Sequence, residues 1–211
     1  MSVLSRFNTA RLTSALLASL LLGSAAHAAP ANDIIKPVRG TLTQVSDHDL
    51  TLTDRRGGTL NVGLTDQTKV NSVATGKLSD IQPDSFIGTA AVPQPDGSLK
   101  ALEVHVFAPS LRGSGEGFNP FESADGKVNT MTNGTVGKLV QANGRTLTVT
   151  YHNEQKTVLV PDDVPVVTIA PGDRSLLKPG AHVVLFAMKD AQGKLVARGI
   201  AAGKDGTVPP M

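Results

Sequence analysis

Val70–Pro83, with the sequence VNSVATGKLSDIQP, recurs 96 residues later as VVTIAPGDRSLLKP at Val166–Pro179. Five positions are identical in the two copies, and the apolar Val73 and Ile81 are replaced by the apolar Ile169 and Leu177. A repeated block at one fixed spacing indicates that the chain contains two copies of one structural unit.

The similarity extends to both sides of this block. Downstream, the same spacing pairs Gly97, Leu99, Ala101 and Val104 with Gly193, Leu195, Ala197 and Ile200. Upstream, a spacing of 97 pairs Gly40 and Leu42 with Gly137 and Leu139. Small changes of spacing are typical of loop insertions between strands. We therefore predict one module at residues 38–107, a Gly-rich linker at 108–131 and a second module at 132–203.

Each copy contains segments with the pattern of β-strands. Residues 50–53 and 60–64 alternate apolar and polar side chains, as do residues 147–151, and residues 157–160 form a β-prone apolar run. Turn signals separate the segments, and Asn143-Gly144 is typical of a two-residue hairpin turn. Further strands are predicted at 86–91 and 101–107 and at 183–186 and 196–201.

A short helix or turn is predicted at Lys77–Ile81, between the third and fourth strands. Five strands with one such element at this place follow the order of an OB-type barrel. The predicted fold is all-β, with two tandem five-stranded OB-like β-barrel modules. A β-sandwich or an SH3-like barrel has a compatible strand count and remains an alternative at this stage.

Residues 1–28 have the three parts of a secretory signal peptide. Arg6 and Arg11 precede an apolar stretch at residues 12–23, and Ala26-His27-Ala28 matches a cleavage site. This stretch of 12 residues is shorter than the roughly 20 needed to cross a bilayer as a helix. The sequence therefore predicts a periplasmic or secreted protein with no membrane span after cleavage.

Cleavage would change the charge of the chain. Two of the 20 basic residues and none of the 18 acidic residues lie in the first 28 positions, so the remainder is balanced at 18 of each. Nucleic-acid binding requires clustered Lys and Arg and is therefore not expected. The chain also has no Cys, which excludes disulfides and Cys-ligated zinc.

Both copies resemble the bacterial modules of unknown function called DUF5666. The whole chain is similar to small exported proteobacterial proteins with two such modules, through Gly115-Glu-Gly117 in the linker and the C-terminal Gly203–Met211. Relatives often carry the label "metal ABC transporter permease", which conflicts with the lack of spanning segments here. In relatives His-Arg-Pro-Trp follows Gly-Glu-Gly, whereas this chain has Phe118-Asn-Pro-Phe121.

Asp47, His48 and Asp49 form the densest set of candidate metal ligands. The equivalent segment of the second copy has neither a carboxylate nor an imidazole, and Asp is common in turns because it hydrogen-bonds nearby backbone. We therefore expect a turn, with a weak cation site as the alternative. No metal and no cofactor is predicted.

The remaining candidates lie on the fifth strand and in the linker. Period-two alternation places His105 on one face with Glu103 and Phe107. This face is expected to meet the linker, the second module or solvent, with binding of a ligand by His105 as the alternative. The linker residues Arg112, Glu116, Phe118 and Phe121 are predicted either to dock on the modules or to contact a ligand or partner.

No catalytic motif is complete in this sequence. Ser114 lies in Gly113-Ser-Gly115, which does not complete a nucleophile elbow, and Asp162-Asp163 point apart on an extended chain. We therefore predict an exported, non-enzymatic protein that binds an unknown envelope protein or a small ligand. The alternative is a periplasmic accessory protein that handles metal ions.

Overall fold

A computed structural model describes residues 37–122, 127–141 and 145–210 of the chain. The described residues form thirteen β-strands and three short 3-10 helices. The first repeat contains β1 (Val38–Val45), β2 (Asp49–Asp54), β3 (Thr59–Gly63), β4 (Lys69–Thr75), β5 (Phe86–Pro93) and β6 (Leu99–Phe107). β7 (Gly117–Glu122) follows, and then β8 (Val128–Gln141), β9 (Arg145–Tyr151), β10 (Glu154–Val160), β11 (Val166–Pro171), β12 (His182–Lys189) and β13 (Leu195–Gly203). The 3-10 helices are Leu78–Asp80, Pro109–Leu111 and Arg174–Leu176.

Strands form at each place where the sequence alternates or is β-prone, and the all-β fold is confirmed. Leu50 and Leu52 of β2 and Leu147 and Val149 of β9 are at most 1% exposed. Burial of these alternate side chains is the main stabilising term of the sheet. The predicted signal peptide at 1–28 and the Asn143-Gly144 turn lie outside the described residues.

Each repeat contains six strands rather than the five that were predicted. The additional strands are β4 and β11, which cover the first half of the repeated block in each copy. β4 precedes the 3-10 helix Leu78–Asp80, where a short helix was expected at Lys77–Ile81, and β11 precedes the equivalent helix Arg174–Leu176. In β4 the buried residues Val70 and Val73 are three positions apart and belong to two different apolar clusters. The period-two signal is therefore missing from the sequence there.

One closed five-stranded mixed barrel is built from strands of both repeats. Its strands follow one another in the order β8, β9, β10, β6 and β5, and β5 pairs with β8 to complete the circle. The parallel contact of β10 with β6 joins Val158 to Leu99. The interior includes Ile87 and Val104 of the first repeat and Leu147 and Val158 of the second. The sequence predicted a barrel formed by the strands of a single repeat. In the structure the closed barrel instead combines β5 and β6 of the first repeat with β8, β9 and β10 of the second, so the repeats exchange strands.

The remaining strands of the two repeats form a matching group. β3, β2, β1, β12 and β13 are paired in this order, and β3 meets β13 at a single parallel pair, Gly63 with Val196. Its apolar cluster again combines both repeats, with Leu42, Leu52 and Val62 packed against Leu185 and Ile200.

β4 and β11 join the two groups at the centre of the molecule. They pair antiparallel, with Val73 directly opposite Ile169. These are equivalent residues of the repeated block, so an approximate twofold axis passes through this pair. Both are almost fully buried, in a third apolar cluster with Val167, Val184 and Ala201. The recurring stretch therefore provides the contact around which the repeats exchange strands.

Among the described residues there is no helix long and apolar enough to cross a membrane.

Candidate functional site

Asp47 and His48 lie in the turn between β1 and β2, and Asp49 is the first residue of β2. The Asp49 carboxylate accepts a hydrogen bond from the Lys194 ammonium at 2.9 Å. The Asp47 carbonyl accepts another, at 2.9 Å, from Arg174. Within residues 37–122, 127–141 and 145–210, no three His, Cys, Asp or Glu side chains form a group that could hold a metal ion.

His105 and Glu103 lie on the outer face of β6, and both are buried, at 1% and 5% exposed. His105 Nε2 is 3.1 Å from Glu103 Oε1, although the angles are not those of a hydrogen bond. Next along this face, the Phe107 ring packs on Phe86 with 5.4 Å between centroids. His105 is therefore enclosed within the sheet packing and does not reach solvent.

Arg112 and Glu116 hold the linker against both repeats. The Arg112 guanidinium donates to the Thr135 hydroxyl at 3.0 Å and to the Asp84 carbonyl. The Glu116 carboxylate accepts a hydrogen bond from the backbone N–H of His152 at 3.2 Å. These contacts hold the linker against the edge of the barrel where β8 and β9 meet.

The two linker phenylalanines contact strands of different repeats. The Phe118 ring stacks on Tyr151 with 6.3 Å between centroids, and the Lys156 ammonium lies 4.9 Å from the Phe118 centroid. The Phe121 ring lies 5.4 Å from the guanidinium carbon of Arg39 on β1. The linker therefore touches strands of both repeats, as well as pairing along β8 through β7.

A cavity of about 250 Å³ lies between β1, β2, β12 and the C-terminal segment. We call it the tail pocket. Its lining residues come from four separate parts of the sequence: Arg39, Gly40, Thr41, Thr53, Asp54, Arg55, His182, Val183, Val208 and Pro209.

The polar residues that line the tail pocket carry both signs of charge. They include Arg39, Arg55 and Asp54. The Arg39 guanidinium lies against the Phe121 ring. The Asp54 carboxylate already accepts hydrogen bonds from the backbone N–H groups of Arg56 and Gly58, each at 2.8 Å. The Asp54 carboxylate therefore stabilises the turn between β2 and β3. The Thr41 hydroxyl and His182 Nδ1 are 3.1 Å apart, so these two side chains hold each other in place.

Sequence reasoning missed the tail pocket. Its parts are brought together only because β1 of the first repeat pairs with β12 of the second, with Thr41 opposite His182. The five linker and strand residues predicted as a site do not line it. The only local signal was the pair Arg55-Arg56, which has no neighbouring basic residues.

Comparison of the chain with family models, curated proteins and solved structures finds no match. The chemistry available to the site is therefore inferred from its own geometry. The Arg55 side chain, two threonine hydroxyls and an apolar wall can hold a small polar molecule.

Proposed function

We propose that this chain is an exported, non-catalytic binding protein whose ligand occupies the tail pocket. The observation that supports this most is the pocket itself: a cavity of about 250 Å³ that is lined by polar residues of three strands and by an apolar wall at Val183 and Val208. Ligand sites in proteins are typically concave and mostly apolar, with a few polar groups that fix orientation.

We also propose that the group of β1, β2, β3, β13 and β12 forms a second OB-like barrel. Its strand order matches that of the closed barrel, and β3 and β13 run parallel where they meet. OB-type barrels bind many kinds of ligand on their strands and loops, which supports a binding role by analogy of fold alone. Residues 1–28, with their signal-peptide pattern, support a periplasmic or secreted location.

Native mass spectrometry of the protein isolated from its own cell envelope tests this function. We expect a bound small molecule on the wild-type chain that is lost from Arg55→Ala, because Arg55 lines the tail pocket. Arg56→Ala is the matched control, since the neighbouring Arg56 does not line the pocket.

Two outcomes would contradict the proposal. Equal retention of the molecule by both variants would place the ligand elsewhere. A bound metal ion, removed by His48→Ala and retained by Arg55→Ala, would favour the metal-handling alternative instead.

A further inference from the structure

β7, the strand formed by the linker, lies at the edge of the sheet. Among residues 37–122, 127–141 and 145–210 it pairs with β8 alone, beginning with Gly117 opposite Asn133, whereas each of the other strands pairs with at least two neighbours. Residues 118–120 are exposed, so the described parts of the chain leave this stretch of the strand largely uncovered. An uncovered edge offers its unpaired backbone groups to a further strand.

The hydrogen bonds of β8 determine which residues of β7 direct their backbone groups outward. The Val136 N–H donates to the Ser85 carbonyl at 2.8 Å, and the Val136 carbonyl accepts from the Asp84 N–H at 2.7 Å, so Val136 bonds toward β5. Successive residues of an antiparallel strand bond to alternate sides, and the β5–β8 register has no bulge from Thr135 to Thr130. Even-numbered residues in this part of β8 therefore bond to β5, and odd-numbered ones to β7.

The pairing of β5 with β6 leads to the same alternation. The Val104 N–H donates to the Pro165 carbonyl at 2.9 Å, on the side of β11, so Val104 turns away from β5. Its partner Thr89 therefore bonds to β8 rather than to β6. Thr132 lies opposite Thr89, so Thr132 bonds to β5, as the hydrogen bonds of Val136 also require.

Pro120 consequently occupies an outward position on β7. It lies opposite Thr130, and Phe118 lies opposite Thr132, both of which bond to β5. A residue opposite such a partner directs its own backbone groups away from it. Proline has no N–H, so its place here costs the β7–β8 ladder nothing. It removes one donor from the middle of the open edge.

We propose that Pro120 keeps the open edge of β7 from pairing with a second copy of this chain. The outward residues 118 and 122 lie equally far on both sides of Pro120, so the edge is self-complementary about a twofold axis at that residue. In such a dimer the two Pro120 residues would face each other, and both N–H···O bonds of the central pair would be missing. This inference is independent of the proposed function, since it does not use the tail pocket.

Sedimentation equilibrium of the purified protein over a range of concentrations tests the inference. Pro120→Thr restores the N–H and introduces a residue that favours strands. We expect the Thr variant to form dimers about thirtyfold more strongly than the wild-type chain, because two ladder hydrogen bonds are regained. Pro120→Ala restores the same N–H and should strengthen association as well.

Asn119→Thr is the matched control. It introduces the same residue beside Pro120, but the Asn119 backbone faces β8, so no outward donor is added. We expect this variant to associate no more strongly than the wild-type chain. Amide hydrogen exchange read by NMR locates the interface, since the amides at positions 118 and 120 should be protected in the dimer of Pro120→Thr.

Four outcomes would overturn the inference. The first is association of both Pro120 variants that is no stronger than that of the wild-type chain. The second is equal dimer formation by Asn119→Thr, which would assign the effect to the added threonine. The third is a dimer without protection at positions 118 and 120. The fourth is loss of the nuclear Overhauser contacts between Phe118 and Tyr151 in the Pro120 variants, which would show that Pro120 holds β7 on β8 instead.

Discussion

Gly40 and Gly134 occupy equivalent places on β1 and β8, where the adjacent strand leaves no room for a side chain. A Cβ atom at Gly40 would collide with the Thr53 carbonyl oxygen, and one at Gly134 with the Thr150 carbonyl oxygen. The sequence spacing paired Gly40 with Gly137 instead. The observed register makes Gly134 the counterpart, because the β8–β9 hairpin is longer than the β1–β2 hairpin: Val136 pairs with Val149, 13 positions later, whereas Leu42 pairs with Leu52, 10 positions later.

We predict that Gly134→Ala destabilises the protein by roughly 1–3 kcal/mol, since the backbone must shift to accept the methyl group. Gly137→Ala is the matched control. Its Cβ would lie 3.6 Å from the Thr148 carbonyl oxygen, an ordinary contact, so we expect a change of less than about 1 kcal/mol. Urea unfolding of the two variants measures the difference. Equal losses of stability would contradict the register.

Tyr151, which stacks on Phe118, has a phenol whose pKa departs from its ordinary value. Burial raises the pKa of the Tyr151 phenol above its usual value of 10.0, and the hydrogen bond to Glu154 and the negative charge of Glu154 raise it further. Because the folded state holds this proton more tightly, its contribution to stability is complete below pH 10.0. It is lost as the pH rises through the higher pKa of the folded protein.

We predict that the absorbance of the ionised phenol appears with a midpoint above pH 10.0 in the folded protein. The signal belongs to one group, since the chain has one Tyr and no Trp. Glu154→Gln should lower the midpoint part of the way, because burial remains. A wild-type midpoint at or below that of the unfolded chain would contradict this account of the site.

At the scale of elements, the strands with alternating side chains could be predicted and the central ones could not. β2 and β9 place polar residues toward solvent and apolar residues inward, so their pattern is visible in the sequence. β11 has consecutive buried residues, Val166 and Val167, because strands on both sides and clusters on both faces enclose it. A buried strand whose apolar residues do not alternate has no period-two pattern in its sequence, so it cannot be recognised as a strand by periodicity.

The linker is an element whose docking depends on a few exposed polar contacts. The Arg112 side chain is 45% exposed and lies 3.6 Å from the Asp84 carboxylate. We predict that Arg112→Ala changes the free energy of unfolding by less than about 1 kcal/mol, since exposed ion pairs contribute little. The substitution should nevertheless speed amide hydrogen exchange at residues 111–116. Without the hydrogen bonds of the Arg112 guanidinium, local opening of the linker costs less free energy.

Hydrogen exchange read by mass spectrometry measures this effect. Arg56→Ala serves as the control, since that exposed side chain lies in the β2–β3 turn and should leave exchange in the linker unchanged. Exchange in residues 111–116 that is the same in both variants would show that Arg112 does not hold the linker.

At the scale of the whole molecule, the repeat is visible in the sequence and the exchange of strands is not. The two copies have the same pattern of buried residues, so Gly40 of β1 could pair equally well with Ile87 of its own repeat or with Val183 of the other. In the structure the exchanged pairing occurs together with the antiparallel contact of β4 and β11 at Val73 and Ile169. The tail pocket depends on the same pairing, which explains why sequence reasoning could not locate it.

The exchange of strands between the repeats is the central claim, and backbone nuclear Overhauser contacts test it most directly. The two possible pairings place different residues beside the same glycine, so each gives its own cross-strand signal. We predict contacts from Gly40 to Val183 and from Gly134 to Ile87, as the strand registers require. Contacts from Gly40 to Ile87 and from Gly134 to Val183 would show two separate barrels in tandem and would contradict the account.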